Sequence, residues 1–185
     1  MVGIYFLLMA VLVVAAFFIA RRRAAAVGAS GRLHSLPSYH GLLASSAVLL
    51  PMVATMALGW PLTGWLAETS ALSILGPDLA ADATTRGAAL RDVVNVAAGQ
   101  FSGTPSAELS AAAVAYQSTR ATGGWAILGI GGVLGLLAIL WATTRISLDA
   151  RARNLFERVV TVVLLGCATV AVLTTIGIVA SVMFE

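Results

Sequence analysis

The sequence predicts an all-α, polytopic membrane protein with four transmembrane helices and an extracytoplasmic helical hairpin between the second and third spans. The chain of 185 residues is 59% hydrophobic and only 10% charged, whereas a soluble domain contains about 25% charged residues. The charged residues also leave four uncharged stretches, each of which reaches the length of about 20 residues that a helix needs to cross a bilayer.

The first uncharged stretch, residues 1–20, is followed directly by Arg21, Arg22 and Arg23. A signal peptide carries its positive charges before the apolar core, so these arginines indicate an uncleaved anchor instead. The remaining spans are expected at residues 41–66, at residues 124–143, and between Arg158 and Glu185.

The distribution of arginine predicts the orientation of the chain. Eight of the eleven arginines lie in two connections, residues 21–40 and 144–158, whereas the segment between spans two and three has three arginines and five acidic residues. Because arginine-rich loops stay cytoplasmic, both termini are expected on the extracytoplasmic side. The residues expected to anchor this topology are Arg21, Arg22, Arg23, Arg145, Arg151 and Arg153.

Three regions follow from this topology. Residues 1–66 form a first transmembrane pair with the cytoplasmic loop 21–40, residues 67–123 form an extracytoplasmic helical insertion, and residues 124–185 form a second pair with the cytoplasmic loop 144–158. The insertion is too long for a plain connection.

Within the insertion, apolar residues recur twice with the spacing of one helix face. Gly99 is expected to end the first helix, while Thr104 and Pro105 are expected to cap and begin the second. This hairpin either lies on the outer membrane surface or over the spans, or it docks an extracytoplasmic partner. The two stripes consist of Leu90, Val93, Val94 and Ala97, and of Leu109, Ala112, Ala113 and Tyr116.

No catalytic, cofactor-binding or metal-binding constellation is recognisable. The chain has no lysine, so it lacks the Gly-Lys-Ser/Thr of a P-loop, and we expect no enzymatic activity. His34 and His40 flank Pro37 and have no third ligand nearby. The arginines lie beside apolar runs and not along one exposed face, which indicates membrane topology and no nucleic-acid partner.

Four small or hydroxyl-bearing residues within the spans are candidates for helix packing. Gly131 and Gly135 have the small-xxx-small spacing that lets helices approach closely in lipid. Thr174 and Thr175 have three open roles: bonding carbonyls one turn earlier, bonding a neighbouring helix, or lining a solute path. Because the four spans contain no Asp, Glu, His, Lys or Arg, and anion paths usually carry such a residue at depth, helix packing is preferred.

Three stretches, LHSLPSYHG (33–41), RARNLFERVV (151–160) and LTTIGIVASVMFE (173–185), together resemble the N-terminal region of the long form of PstC. PstC is a family of permease subunits in bacterial phosphate ABC transporters. The resemblance implies a membrane region of an inorganic phosphate importer in the bacterial cytoplasmic (inner) membrane, auxiliary to the translocation path. It also implies, as partners besides the lipid bilayer, a sister permease subunit, a phosphate-binding protein and a separate cytoplasmic ATPase that hydrolyses ATP.

In that family a permease domain follows the fourth span and contacts the ATPase through a cytoplasmic loop with a Glu-Ala-Ala pattern. No Glu-Ala-Ala sequence occurs in this chain, so the permease domain is expected downstream and is absent from residues 1–185. The alternative hypothesis is a stand-alone four-helix membrane scaffold or sensor subunit that binds partners through its extracytoplasmic hairpin.

The predicted topology can be tested with single cysteines. In a Cys167→Ser background, Ser102→Cys should react with a membrane-impermeant maleimide in intact spheroplasts, because it lies in the extracytoplasmic insertion. Ser30→Cys should react only after permeabilisation. Labelling of both positions from the same side would contradict the topology.

Overall fold

Five α-helices make up most of the computed structural model, which describes residues 1–29, 34–76, 83–147 and 151–184. Four of the five helices, all except α3, are long and apolar enough to cross a membrane. The all-α class and the four apolar candidate spans are therefore confirmed. In chain order the helices are α1 (Val2–Gly28), α2 (Pro37–Leu75), α3 (Ala83–Ala97), α4 (Ala107–Thr144) and α5 (Ala152–Phe184).

The helices extend beyond the uncharged stretches that predicted them. Helix α1 continues through the three arginines at 21–23, and α2 runs through both Pro51 and Pro61 to Leu75. Membrane helices tolerate internal proline because neighbouring groups satisfy the freed backbone carbonyls. Pro37 takes the first position of α2, where its fixed φ angle suits a helix start and its missing N–H costs nothing.

The predicted second helix of the hairpin is not a separate element. Helix α4 runs without a break from Ala107 to Thr144, so this helix and the third span are one. The expected start at Thr104 and Pro105 is also wrong. The hydroxyl of Ser106 accepts a hydrogen bond from the backbone N–H of Leu109 at 3.1 Å, which makes Ser106 the N-cap. No proline interrupts α4 after this start.

The end of α3 at Gly99 is as predicted. Gly99 has a φ angle of 69°, in the left-handed region that glycine adopts without steric cost. The N–H of Gln100 donates to the carbonyl of Asn95 at 2.8 Å, and the N–H of Gly99 donates to that of Val96 at 3.0 Å. This pair of bonds is the Schellman motif that closes many helices.

The chain divides into two compact units. Unit 1 comprises Met1–Leu8 and Pro51–Leu134, and unit 2 comprises Met9–Leu50 and Gly135–Glu185. In unit 1, the apolar stripes of α3 and the start of α4 pack together with the end of α2. The buried residues of this cluster are Ala71, Val93, Ala112 and Ala113, and the partly buried ones around them are Leu75, Val96, Ala97, Leu109 and Tyr116.

Tyr5 joins three helices within unit 1. Its side chain is only 3% exposed, and its hydroxyl donates a hydrogen bond to the carbonyl of Met52 in α2 at 2.7 Å. Gly131 in α4 lies so close to the ring that an added Cβ atom would come within 2.7 Å of the Cε2 atom of Tyr5. A glycine at this position therefore allows α4 to approach the ring of Tyr5.

Helices α1 and α2 also pack closely in unit 2. A Cβ atom added at Gly41 would lie 2.8 Å from the Cδ2 atom of Phe17. Four residues further along α2, the hydroxyl of Ser45 donates to the carbonyl of Val13 at 3.1 Å. Small residues and a side-chain hydrogen bond are the usual means of joining helices in lipid.

The contact at Gly131 predicts a position-specific loss of stability. Gly131→Leu should displace Tyr5 and cost about 1–3 kcal/mol, as overpacking of a close contact does. The expected result is a fall of several degrees in the melting temperature of the protein purified in dodecyl maltoside. The melting temperature is measured from the fraction of the protein that stays monodisperse after heating.

Gly129→Leu is the matched control, because it adds the same side chain to the same helix where a Cβ atom meets nothing within 4 Å. Its melting temperature should stay close to that of the natural chain. Equal losses for the two variants would contradict the role assigned to the Gly131–Tyr5 contact.

Candidate functional site

The connection between α4 and α5, in unit 2, carries a concentration of arginine. Arg145 follows the last residue of α4, and its guanidinium lies 5.9 Å from the ring centre of Trp141. Arg153 lies in the first turn of α5, where its Nε donates to a carboxylate oxygen of Glu157 at 2.7 Å. Its guanidinium also lies 5.9 Å from the ring centre of Tyr39. Arginine commonly stacks on aromatic rings in this way.

A cavity of about 340 Å³ opens beside this connection, entirely within unit 2. Its polar lining consists of His40, Arg145, Ser147 and Arg151, and we call it the arginine cavity. Apolar side chains from α2, α4 and α5, among them Leu43, Trp141 and Leu155, complete its walls. Hydrogen-bond donors of three kinds therefore line one space of ligand size.

His40 is the most enclosed of the polar residues that line the cavity. The residue is only 4% exposed, and its Nε2 atom is buried without a hydrogen-bond partner among the described residues. Buried polar atoms are nearly always hydrogen-bonded, since desolvation without a partner costs free energy. The first turn of α2 positions this ring, because Pro37 starts the helix three residues earlier.

The two histidines do not form a metal site with other ligands in the described ranges. His34 is exposed, whereas His40 is buried in α2. Within residues 1–29, 34–76, 83–147 and 151–184, no group of three or more His, Cys, Asp or Glu side chains is placed to hold a metal ion.

Arginine–tryptophan pairs lie at both ends of the apolar part of α4. In unit 1 the guanidinium of Arg120 lies 4.5 Å from the ring centre of Trp60, and in unit 2 Arg145 stacks on Trp141. Tryptophan rings favour the headgroup level of a bilayer, where the charged ends of arginine side chains also reach water.

The other predicted anchors and packing residues occupy different surroundings. Arg21, Arg22 and Arg23 are exposed near the end of α1. Gly131 and Gly135 are both buried on α4, and Gly131 lies against Tyr5.

The hydroxyls of α5 bond to their own helix. Thr174 donates to the carbonyl of Val170 at 2.6 Å, and Thr175 donates to that of Ala171 at 2.9 Å. Both threonines are exposed. Of the three roles open to them in the sequence, the described structure therefore shows the bond to a carbonyl one turn earlier.

Helix α5 is exposed along nearly its whole apolar length. Every residue from 161 to 179 is exposed, and in the apolar window of this helix none is buried, in contrast to the other three candidate spans. The free thiol of Cys167 lies on this exposed stretch. This surface is available to lipid or to a partner.

The arginine cavity is the feature that the sequence did not predict. Its polar residues come from α2 and from a connection more than a hundred residues later, so no spacing rule brings them together. The single local signal was Trp141 four residues before Arg145, a spacing that places two side chains on the same helix face. That spacing predicts that Arg145 stacks on Trp141, but it does not predict that His40 lines the same cavity.

Comparison with known proteins identifies the family. The family model described as "Phosphate ATP-binding cassette transporter" (DUF3708) matches residues 6–174, which include all four polar residues of the arginine cavity. No curated protein and no solved structure matches the chain. Because the match covers most of the 185 residues, the chain belongs to this family of domains associated with phosphate ATP-binding cassette transporters.

Proposed function

We propose that the chain is the N-terminal membrane region of a permease subunit, of the PstC type, in a bacterial importer of inorganic phosphate. The observation that carries this proposal is the family match over residues 6–174. Four candidate membrane spans are consistent with a permease component. In this proposal a sister permease subunit, a phosphate-binding protein and a separate ATPase complete the importer, and the ATPase hydrolyses ATP.

The bundle is auxiliary to the translocation path in this proposal. A path for an anion through hydrocarbon needs positive or strongly donating groups at depth. The apolar portions of α1, α2, α4 and α5, at residues 1–20, 41–66, 124–143 and 159–184, contain no Asp, Glu, His, Lys or Arg side chain. The hydroxyls of Thr174 and Thr175 are engaged by backbone carbonyls of their own helix.

Helix α5 is the element through which the bundle contacts the transport machinery in this proposal. At about 3.6 residues per turn, Cys167, Thr174, Gly177 and Ser181 lie on one face of α5 together with Val170, and we call this the small face. Small residues permit the close approach on which helix association in lipid depends. A shallow groove follows the small face between Val170 and Ser181.

The alternative function, a stand-alone scaffold that docks partners through the hairpin, has less support. The apolar stripes that would form such a docking surface are largely used inside unit 1. Val93 and Ala112 are fully buried there, and Ala97, Leu109 and Tyr116 pack against the same cluster.

Co-purification tests the proposed function. The tagged full chain, extracted from its native membrane in a mild detergent, should recover the permease, ATPase and phosphate-binding subunits of a phosphate importer, identified by mass spectrometry. Gly177→Leu combined with Ser181→Leu should reduce that recovery at least fivefold, because the added side chains fill the groove on the small face of α5.

The variant leaves its own fold intact, since a Cβ atom at Gly177 meets nothing within 4 Å. Ala168→Leu combined with Thr169→Leu is the matched control, because it enlarges two exposed residues on the other side of α5 and should leave recovery unchanged. Recovery of unrelated membrane proteins, with no importer subunit among them, would refute the proposal.

Transport measurements test the auxiliary role separately. Liposomes that contain only the purified chain should take up radiolabelled phosphate no faster than protein-free liposomes, because no span offers an anion a charged or donating path. Liposomes that contain the complete importer with ATP are the positive control. Uptake by the chain alone would place the path within these helices.

A further inference from the structure

We propose that the arginine cavity binds a phosphate oxyanion, carried either by the headgroup of an anionic phospholipid or by free inorganic phosphate. The cavity lies within unit 2 and is lined by His40, Arg145, Ser147 and Arg151. Binding there is independent of whether the chain forms part of an importer.

The charge of the cavity favours an anion. Arg145 and Arg151 both line it, and its described lining contains no acidic residue. Among the described residues, the ion pair of this region joins Arg153 to Glu157, outside the cavity lining. The planar guanidinium fork matches the oxygens of a phosphate group in a bidentate arrangement. Asp149 also belongs to this connection by sequence and lies outside the described residues.

His40 provides the second, independent indication of a ligand. Its Nε2 atom is buried and has no partner among the described residues, and the residue lines the same cavity as the two arginines. An imidazole N–H directed at a phosphate oxygen would satisfy this atom. The hydroxyl of Ser147, an exposed residue at the cavity, adds a further donor.

The size and the walls of the cavity fit such a group. A volume of about 340 Å³ falls within the range of roughly 300–1,000 Å³ that small-molecule sites occupy. Apolar side chains, including Leu43, Ala142 and Leu155, form the remaining walls. They suit the glycerol carbons next to a lipid phosphate, while the polar side suits a phosphate from either source.

If Arg145 and Arg151 served only as topology anchors, the cavity and the unpartnered Nε2 atom of His40 would remain unexplained. Arginines that only hold a loop in the cytoplasm need no partner, because they extend their charged ends into water and headgroups. Such a role leaves the buried Nε2 atom of His40 without a purpose. It also requires no cavity between the arginines and α2.

Native mass spectrometry tests the lipid source. The purified full chain in dodecyl maltoside is mixed with equimolar phosphatidylglycerol and phosphatidylcholine of identical acyl chains. Retention of phosphatidylglycerol should exceed that of phosphatidylcholine. Arg145→Gln combined with Arg151→Gln should lower phosphatidylglycerol retention at least tenfold.

The matched control is Arg22→Gln combined with Arg158→Gln. It removes the same charge from two exposed arginines that do not line the cavity, so phosphatidylglycerol retention should stay within twofold of the natural chain. An equal loss in this control would overturn the proposal, because it would show attraction by overall charge instead of a site.

Replacement of His40 separates a ligand site from a structural role. His40→Leu removes a buried polar atom without a partner, so the ligand-free protein should melt at the same or a higher temperature. The same variant should bind phosphatidylglycerol or inorganic phosphate, whichever the natural chain binds, at least fivefold more weakly. A lower melting temperature together with unchanged binding would assign His40 to the fold and overturn the proposal.

The free-anion source is tested in nanodiscs of phosphatidylcholine. A variant that keeps Trp141 and replaces the other tryptophans by phenylalanine (Trp60, Trp65 and Trp125) reports on the cavity wall. Inorganic phosphate at constant ionic strength should change Trp141 fluorescence saturably, and the Arg145→Gln, Arg151→Gln pair should abolish the change.

The lipid-retention and fluorescence measurements together identify whether the phosphate group comes from a lipid or from the free anion. Phosphatidylglycerol preference without a phosphate response assigns the lipid headgroup, and a phosphate response without lipid preference assigns the free anion. The absence of both, with the natural chain intact by size-exclusion chromatography, would refute the site.

Discussion

Helices in a bilayer gain no hydrophobic free energy by meeting, because lipid tails are as apolar as their side chains. The close contacts between candidate spans within each unit therefore involve glycine and a few hydrogen bonds from side chains to backbone. In unit 1, the hydroxyl of Tyr5 reaches the carbonyl of Met52 while Gly131 admits its ring. In unit 2, Gly41 admits the ring of Phe17. Helix α5 has no such contact along its apolar length, and it is correspondingly exposed.

The hydrocarbon of the bilayer also determines where the charged side chains of this protein lie. Charged groups in hydrocarbon are costly, so arginine collects near the ends of the apolar stretches, where aromatic rings stack against it. The pairs Arg120–Trp60 and Arg145–Trp141 follow this rule. The arginine cavity adds a buried histidine to such a pair, and the proposed phosphate site rests on this combination.

Composition and periodicity were sufficient to predict the membrane class, the four spans and the end of α3 at Gly99. They were insufficient where two signals of similar strength competed. A helix start is compatible with Thr104 and Pro105 and equally with Ser106. The hydrogen bond from the N–H of Leu109 to the hydroxyl of Ser106 shows that Ser106 is the N-cap. The continuity of α4 was missed because Arg120 interrupts the uncharged stretch that predicted the third span. The cavity was missed because His40 and Arg145 are distant in sequence, and the orientation of the spans stays a prediction from arginine alone.

The uninterrupted course of α4 has a geometric consequence. Its 38 residues extend over about 57 Å at 1.5 Å per residue, and with no proline it lacks the commonest origin of a sharp bend. Such a helix is longer than a bilayer with its headgroups is thick, which is roughly 40–45 Å. It therefore either projects from the membrane at one end or crosses the membrane at a steep tilt.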